Sequence, residues 1–99
     1  MSKRQLVLRV EARRELEESV AWYEAQLPDL GRQFRAEVYR CLDAIGERPE
    51  LYPAFQGAVR KTVLRRFPYL IFYLVERRRI VVLAIFHAKR NPDELAART

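Results

Sequence analysis

Glycine is scarce in this chain, at three residues of 99, and cysteine and histidine occur once each. So few glycines leave no glycine-rich loop to cradle a phosphate. One cysteine, Cys41, excludes an intramolecular disulfide and fits a reducing compartment. There is no pair of Cys-x-x-Cys motifs and no His-x-x-x-His spacing, so neither a metal site nor a cofactor is expected. No uncharged apolar run approaches the roughly 18 residues of a membrane span. The Met1-Ser2-Lys3-Arg4 start leads into no apolar leader segment, so the expected location is the cytoplasm and no membrane partner is expected. Low-complexity stretches and internal repeats are absent as well.

What is present is an ordinary globular composition, 49% hydrophobic and 32% charged. The length suits one domain, residues 1–99. The net charge of +6 is unevenly placed. Residues 1–57 hold nine Lys/Arg and ten Asp/Glu, a net of −1, whereas residues 58–99 hold ten and three, a net of +7. All of the basic character lies in the second half, which suits an acidic or polyanionic partner. The alternative is a solvated basic face with no partner.

Gln5–Val10 alternates and predicts a short strand. From Glu11 the period changes, and Ala12, Leu16, Val20, Tyr23 and Leu27 mark a helix to about Gln26. Pro28 breaks it, and Asp29 is suited to cap the next helix. That helix carries Leu30, Phe34, Val38, Leu42 (or Cys41) and Ile45 and ends near Gly46. Residues 50–57 read as a loop. Ala58–Arg66, Tyr69–Glu76 and Arg79–His87 then predict three strands. The Arg77-Arg78 connection lacks the Gly or Asn of a tight hairpin, so a longer loop or a bulge is expected. In the last strand Val81, Leu83, Ile85 and His87 should share one face and Ile80, Val82, Ala84 and Phe86 the other. Apolar on both faces, it should lie inside the sheet. Asn91 as cap, Pro92 at the first position and Glu94 three after the cap predict a short C-terminal helix. The fold class is therefore α+β: β-α-α-β-β-β, a helical hairpin packed on a mostly antiparallel sheet.

Two basic groups punctuate the sheet: Arg60-Lys61 with Arg65-Arg66, and Lys89-Arg90 after His87. Chemistry on phosphodiesters needs cations against developing charge and a group that moves a proton near neutral pH. Arg60 and Arg65 suit the first role and His87 the second. The alternative is that His87 is a structural residue closing its strand, hydrogen-bonded to a backbone carbonyl. Phe67, Tyr69 and Tyr73 lie between the basic groups, where aromatic rings either stack on bases or fill the core. Whether Arg60 and Lys61 converge with His87 and Arg90 depends on the strand order, which sequence leaves open.

The ordered combination of these segments resembles the RelE/ParE toxin superfamily of type II toxin–antitoxin modules. The similarity lies in Val59-Arg60-Lys61, in Phe67-Pro68-Tyr69-Leu70-Ile71-Phe72-Tyr73, and in residues 80–92, which end His87-Ala88-Lys89-Arg90-Asn91-Pro92. Ala12, Leu16, Ala21-Trp22-Tyr23 and Phe34 add to it. The resemblance implies a toxin held inactive by a cognate antitoxin, whose commonly acidic C-terminal segment would suit the +7 half. It also implies a target. ParE-like members inhibit DNA gyrase, and the Phe67–Tyr73 segment and the His-x-x-Arg-x-Pro ending are more similar to them. RelE-like members cleave mRNA on the ribosome, with His87, Arg60 and Arg65 at positions that could serve. No tyrosine follows Tyr73 to act as the C-terminal catalytic residue of that branch. Binding of antitoxin or target is expected at Arg60, Lys61, Arg65, Arg66, Lys89 and Arg90.

Overall fold

A computed structural model describes residues 4–99; Met1, Ser2 and Lys3, read above for a leader, lie outside them. Strand β1 (Gln5–Leu8) precedes helices α1 (Val10–Gln26) and α2 (Leu30–Glu47). Strands β2 (Ala54–Gln56), β3 (Val59–Val63), β4 (Tyr69–Val75) and β5 (Arg79–His87) follow, and a 3-10 helix over Pro92–Arg98 ends the chain. The sheet order is β1-β5-β4-β3-β2. β1 pairs parallel with β5, and the other neighbours are antiparallel. The fold is thus the expected α+β arrangement, with β5 inside the sheet.

The helical hairpin covers one face. Ala12 and Leu16 of α1 and Phe34, Val38 and Ile45 of α2 are fully buried against Ile71, Tyr73, Ile80 and Val82 of the sheet. Burying each larger side chain contributes roughly 1.5–3 kcal/mol, which makes this interface the main source of stability. Gly31 lets the helices approach closely, since a Cβ there would lie 2.5 Å from the Val20 carbonyl oxygen.

Four local expectations are corrected. Val10 opens α1 instead of closing β1, because the Arg9 carbonyl already accepts the Arg13 N–H at 3.0 Å. Asp29 stands at the α2 cap, but in a left-handed conformation (φ 76°) without a capping bond. Its carboxylate pairs with Arg32, and the Glu24 carboxylate accepts the Asp29 and Gly31 N–H groups at 2.8 and 2.9 Å. The supposed loop over residues 50–57 contains β2, a three-residue edge strand just after Pro53. Such a short edge next to proline is hard to distinguish from a loop by pattern. Finally, β3 stops at Val63 rather than Arg66, because Glu37 takes the Arg65 and Arg66 N–H groups at 2.6 and 2.8 Å.

The β4–β5 connection is tight, with the Glu76 N–H donating to the Arg79 carbonyl at 2.8 Å. The irregularity lies further up the ladder. Phe72 pairs with Ala84 but Tyr73 pairs with Val82, leaving Leu83 as a bulge. One extra residue inverts the alternation beyond it. Ala84 and Phe86 therefore share a face with Val81 and Leu83, while Ile85 joins Ile80 and Val82 under the helices. The expected face sets hold only up to Leu83. On the open face Leu95 of the 3-10 helix packs into the second apolar cluster. Asn91 caps that helix, its Oδ1 accepting the Asp93 N–H at 3.0 Å, whereas Glu94 turns to Arg90 rather than back to the cap.

Candidate functional site

β3 and β5 both run antiparallel to β4, so they point the same way. The end of β3 therefore lies toward the end of β5, and its start toward the start of β5. Arg60 pairs with Tyr73 and His87 with Tyr69, four residues apart on β4. That is a separation of about 13 Å along the strand, with β4 between them. The possible convergence of Arg60 and Lys61 with His87 and Arg90 does not occur. The basic pair at the His87 end is Arg65-Arg66, since the Leu64 N–H bonds to the Tyr69 carbonyl at 2.9 Å.

Several of these cations are already engaged. The Arg60 Nη1 donates to the carbonyls of Tyr52 (2.5 Å) and Glu50 (3.2 Å), which secures the segment leading into β2. The Lys61 ammonium sits 4.9 Å from the Phe55 ring centre. Arg66 pairs with the buried Glu37 at 3.0 Å. Arg90 bridges Glu15 (2.9 Å) and Glu94 (2.8 Å) and lies over Phe86. Arg65 and Lys89 are exposed, and their side chains make no hydrogen bond or ion pair among the described residues.

His87 is half-buried at the end of β5. Its Nδ1 accepts the Lys89 N–H at 3.1 Å, so in the neutral ring the proton resides on Nε2. The ring meets Tyr69 edge-on, with centres 5.3 Å apart. The tight turn beyond it is set by the Arg90 N–H on the His87 carbonyl (2.9 Å) and the Ala88 N–H on the Pro68 carbonyl (2.7 Å). Beside the ring is a cleft of about 490 Å³ lined by Trp22, Tyr23, Pro68, Tyr69 and His87. The bulge at Leu83 brings this about, because it turns His87 to the helix side. Phe67, Tyr69 and Tyr73, weighed above as base-stacking groups, are buried in the core. Of the aromatic rings that line the cleft, Trp22 is the exposed one.

Two buried acids went unread in the sequence. Glu15 accepts the Ile85 N–H at 3.0 Å and two bonds from Arg98, and Glu37 holds the Arg65-Arg66 turn. Each stands three residues after a buried stripe residue, Ala12 or Phe34, so a helical wheel carries the signal. Among the described residues no group of His, Cys, Asp and Glu could hold a metal ion. Burial pushes the Cys41 thiol up, which keeps it protonated and unreactive. No described helix is long and apolar enough to cross a membrane.

The sequence profile of the ParE toxin of type II toxin–antitoxin systems (parDE) matches residues 6–92. No curated protein sequence matches the chain. Among solved structures, the chromosomal ParDE toxin–antitoxin system of P. aeruginosa superposes with a TM-score of 0.76 at 16% identity, covering 86% of this chain and 96% of that one. The RelBE2 toxin–antitoxin complex of Mycobacterium tuberculosis gives 0.59 at 18%, covering 87% and 99%. A double-arginine mutant of E. coli toxin RelE in the free state gives 0.61 at 18%, covering 98% and 94%. At these identities the structural likeness speaks for the fold.

Proposed function

The chain belongs to the ParE toxin family of type II toxin–antitoxin systems, and from that premise we propose that it inhibits growth by acting on DNA gyrase without chemistry of its own. It works in the cytoplasm, and a cognate antitoxin keeps it inactive until needed. The observation that carries this reading is the dispersal of the groups a nuclease would assemble. Arg60 and His87 flank β4 on opposite sides, opposite residues four apart along it, and Arg60, Arg66 and Arg90 are committed to carbonyls and carboxylates of the chain itself. Cleaving a phosphodiester needs a proton-transfer group and cations around one reacting atom. Inhibition of a large enzyme needs only a complementary surface. The antitoxin reading rests on the likeness to ParDE and RelBE2, both toxin–antitoxin systems. An acidic antitoxin segment would complement the +7 half of the chain.

The test is a supercoiling assay with purified gyrase. The protein should block supercoiling at near-stoichiometric amounts, and His87→Ala should block it equally well. No effect at large excess overturns the reading. So does mRNA cleavage in a translation extract that is abolished by His87→Ala, the outcome a RelE-like endoribonuclease would give.

A further inference from the structure

The cleft beside His87 is walled by rings drawn from three separate places in the fold. Trp22 and Tyr23 come from α1, Pro68 and Tyr69 from the turn into β4, and His87 from the end of β5. Trp22 and Tyr23 meet edge-on at 5.1 Å, as Tyr69 and His87 do at 5.3 Å. Trp22 remains 58% exposed, a large aromatic surface left in water at the mouth of a cleft sized for a small planar group. His87 Nε2 has no partner among the described residues, because Nδ1 alone is tied to the backbone. Its N–H can donate one hydrogen bond to an acceptor at the edge of whatever stacks there.

The charge at this end of the sheet identifies the class of ligand. Arg65 follows Leu64, which is bonded to Tyr69, and Lys89 follows His87 by two residues; these are the two candidate cations with no internal partner. Arg66, the third cation here, is only partly neutralised, since its side chain stays 55% exposed beside Glu37. The exposed acids on the neighbouring stretch of α1 are Glu17, Glu18 and Glu24; Glu17 is paired with Arg35 and Glu24 is held by the Asp29 and Gly31 N–H groups, which leaves Glu18, one turn before Trp22. Aromatic rings that accept a flat group, with unpaired cations beside them, are what single-stranded nucleic acid requires: a face for each base and positive charge for each phosphate. A proline-rich peptide would use the rings but not the cations.

We propose that the Trp22–Tyr23–Pro68–Tyr69–His87 cleft binds an unpaired base of a single-stranded nucleic acid, with Arg65 and Lys89 meeting the adjoining phosphates. The proposal stands apart from the gyrase reading: it concerns the helix side of the sheet and needs no target enzyme.

Trp22 is the only tryptophan of the chain, so its fluorescence reports on this cleft alone. Titration of the purified full-length protein with a deoxythymidine 12-mer should quench the emission saturably. A matched duplex and thymidine monophosphate should each bind at least tenfold more weakly. His87→Ala should weaken the 12-mer about tenfold, the loss of one stacked ring. Arg65→Ala with Lys89→Ala should weaken it and flatten its salt dependence by about two phosphate contacts. Neither of those two side chains supports the fold, and unchanged circular dichroism of the double variant confirms that the loss is one of binding. The proposal is overturned if the 12-mer fails to quench at millimolar concentration, or if duplex binds as well as single strand. It is also overturned if the double variant binds as the wild type does, or if an uncharged proline-rich peptide quenches where the 12-mer does not. Since no gyrase is present, failure here leaves the supercoiling result untouched.

Discussion

Arg98 reaches back across the fold to Glu15, with its Nη1 and Nη2 at 3.0 and 2.8 Å from the two carboxylate oxygens. The pair does the work of a missing strand. β1 ends opposite Val82, so β5 has an open edge beyond that point. There the Ile85 N–H bonds to Glu15 (3.0 Å) and the Leu83 carbonyl accepts from Arg98 (3.0 Å). Edge groups that would otherwise recruit another strand are therefore closed by side chains. The same contacts tie the C-terminal 3-10 helix to α1 and hold the segment on which Lys89 and Arg90 stand.

Removing Glu15 should separate its two duties. Glu15→Leu leaves the Ile85 N–H without its acceptor and takes the buried carboxylate from Arg90 and Arg98, which keep only Glu94 and the Leu83 carbonyl, at a cost of about 3 kcal/mol. Glu15→Gln keeps an acceptor for Ile85 and should cost about half as much. Urea unfolding checks this through the midpoints at unchanged slope. Equal losses in the two variants would mean that the Ile85 bond contributes nothing.

The helices and the three long strands were legible because their apolar residues keep a period: Ala12–Leu16 and Phe34–Val38 on the helices, Tyr69–Val75 on β4. The Asn91-Pro92 start of the 3-10 helix was legible as local chemistry. The bulge at Leu83 was not, because residues 80–86 are apolar throughout and show no break in alternation when a residue is inserted. β2 was hidden by its length of three residues. Among the candidate site residues His87 stood out as the sole histidine. Its neighbours Trp22 and Pro68 did not, since only the register of β4 against β5 and the packing of α1 bring them together. Arg60 drew notice for its charge, yet its hydrogen bonds go to backbone carbonyls 8 and 10 residues earlier.

Glu37 should make the turn that carries Arg65 and Pro68 sensitive to acid. Burial pushes its carboxyl up, but the Arg66 N–H, the Arg66 guanidinium and the Arg65 N–H outweigh burial and hold it below its ordinary value of 4.5. A carboxyl depressed in the folded state adds stability above the unfolded value, and that stability is lost as pH falls through the folded one. Glu37→Gln should therefore be less stable than wild type at neutral pH, with the gap closing as the pH drops below 4.5. Urea midpoints taken at intervals down the acid range measure it. A gap that stays constant would show that the carboxylate charge plays no part in holding the turn.

Two glycines on one helix should respond oppositely to the same substitution. At Gly31 a methyl group would lie 2.5 Å from the Val20 carbonyl oxygen and 2.9 Å from the Glu24 Cβ. The carbonyl belongs to α1 and cannot rotate away, and Glu24 is held by its bonds to the Asp29 and Gly31 N–H groups. Gly31→Ala must then part the helices, at a cost of about 2–3 kcal/mol and a fall in Tm of roughly 10 °C or more. At Gly46 a Cβ meets nothing within 4 Å. Gly46→Ala should raise stability by about 0.5 kcal/mol, since alanine restricts the unfolded chain and favours the helix. Thermal unfolding of the two variants decides the matter. A tolerated Gly31→Ala would mean that α1 and α2 can slide apart, and Trp22 and Tyr23 would then have no fixed position against Tyr69 and His87.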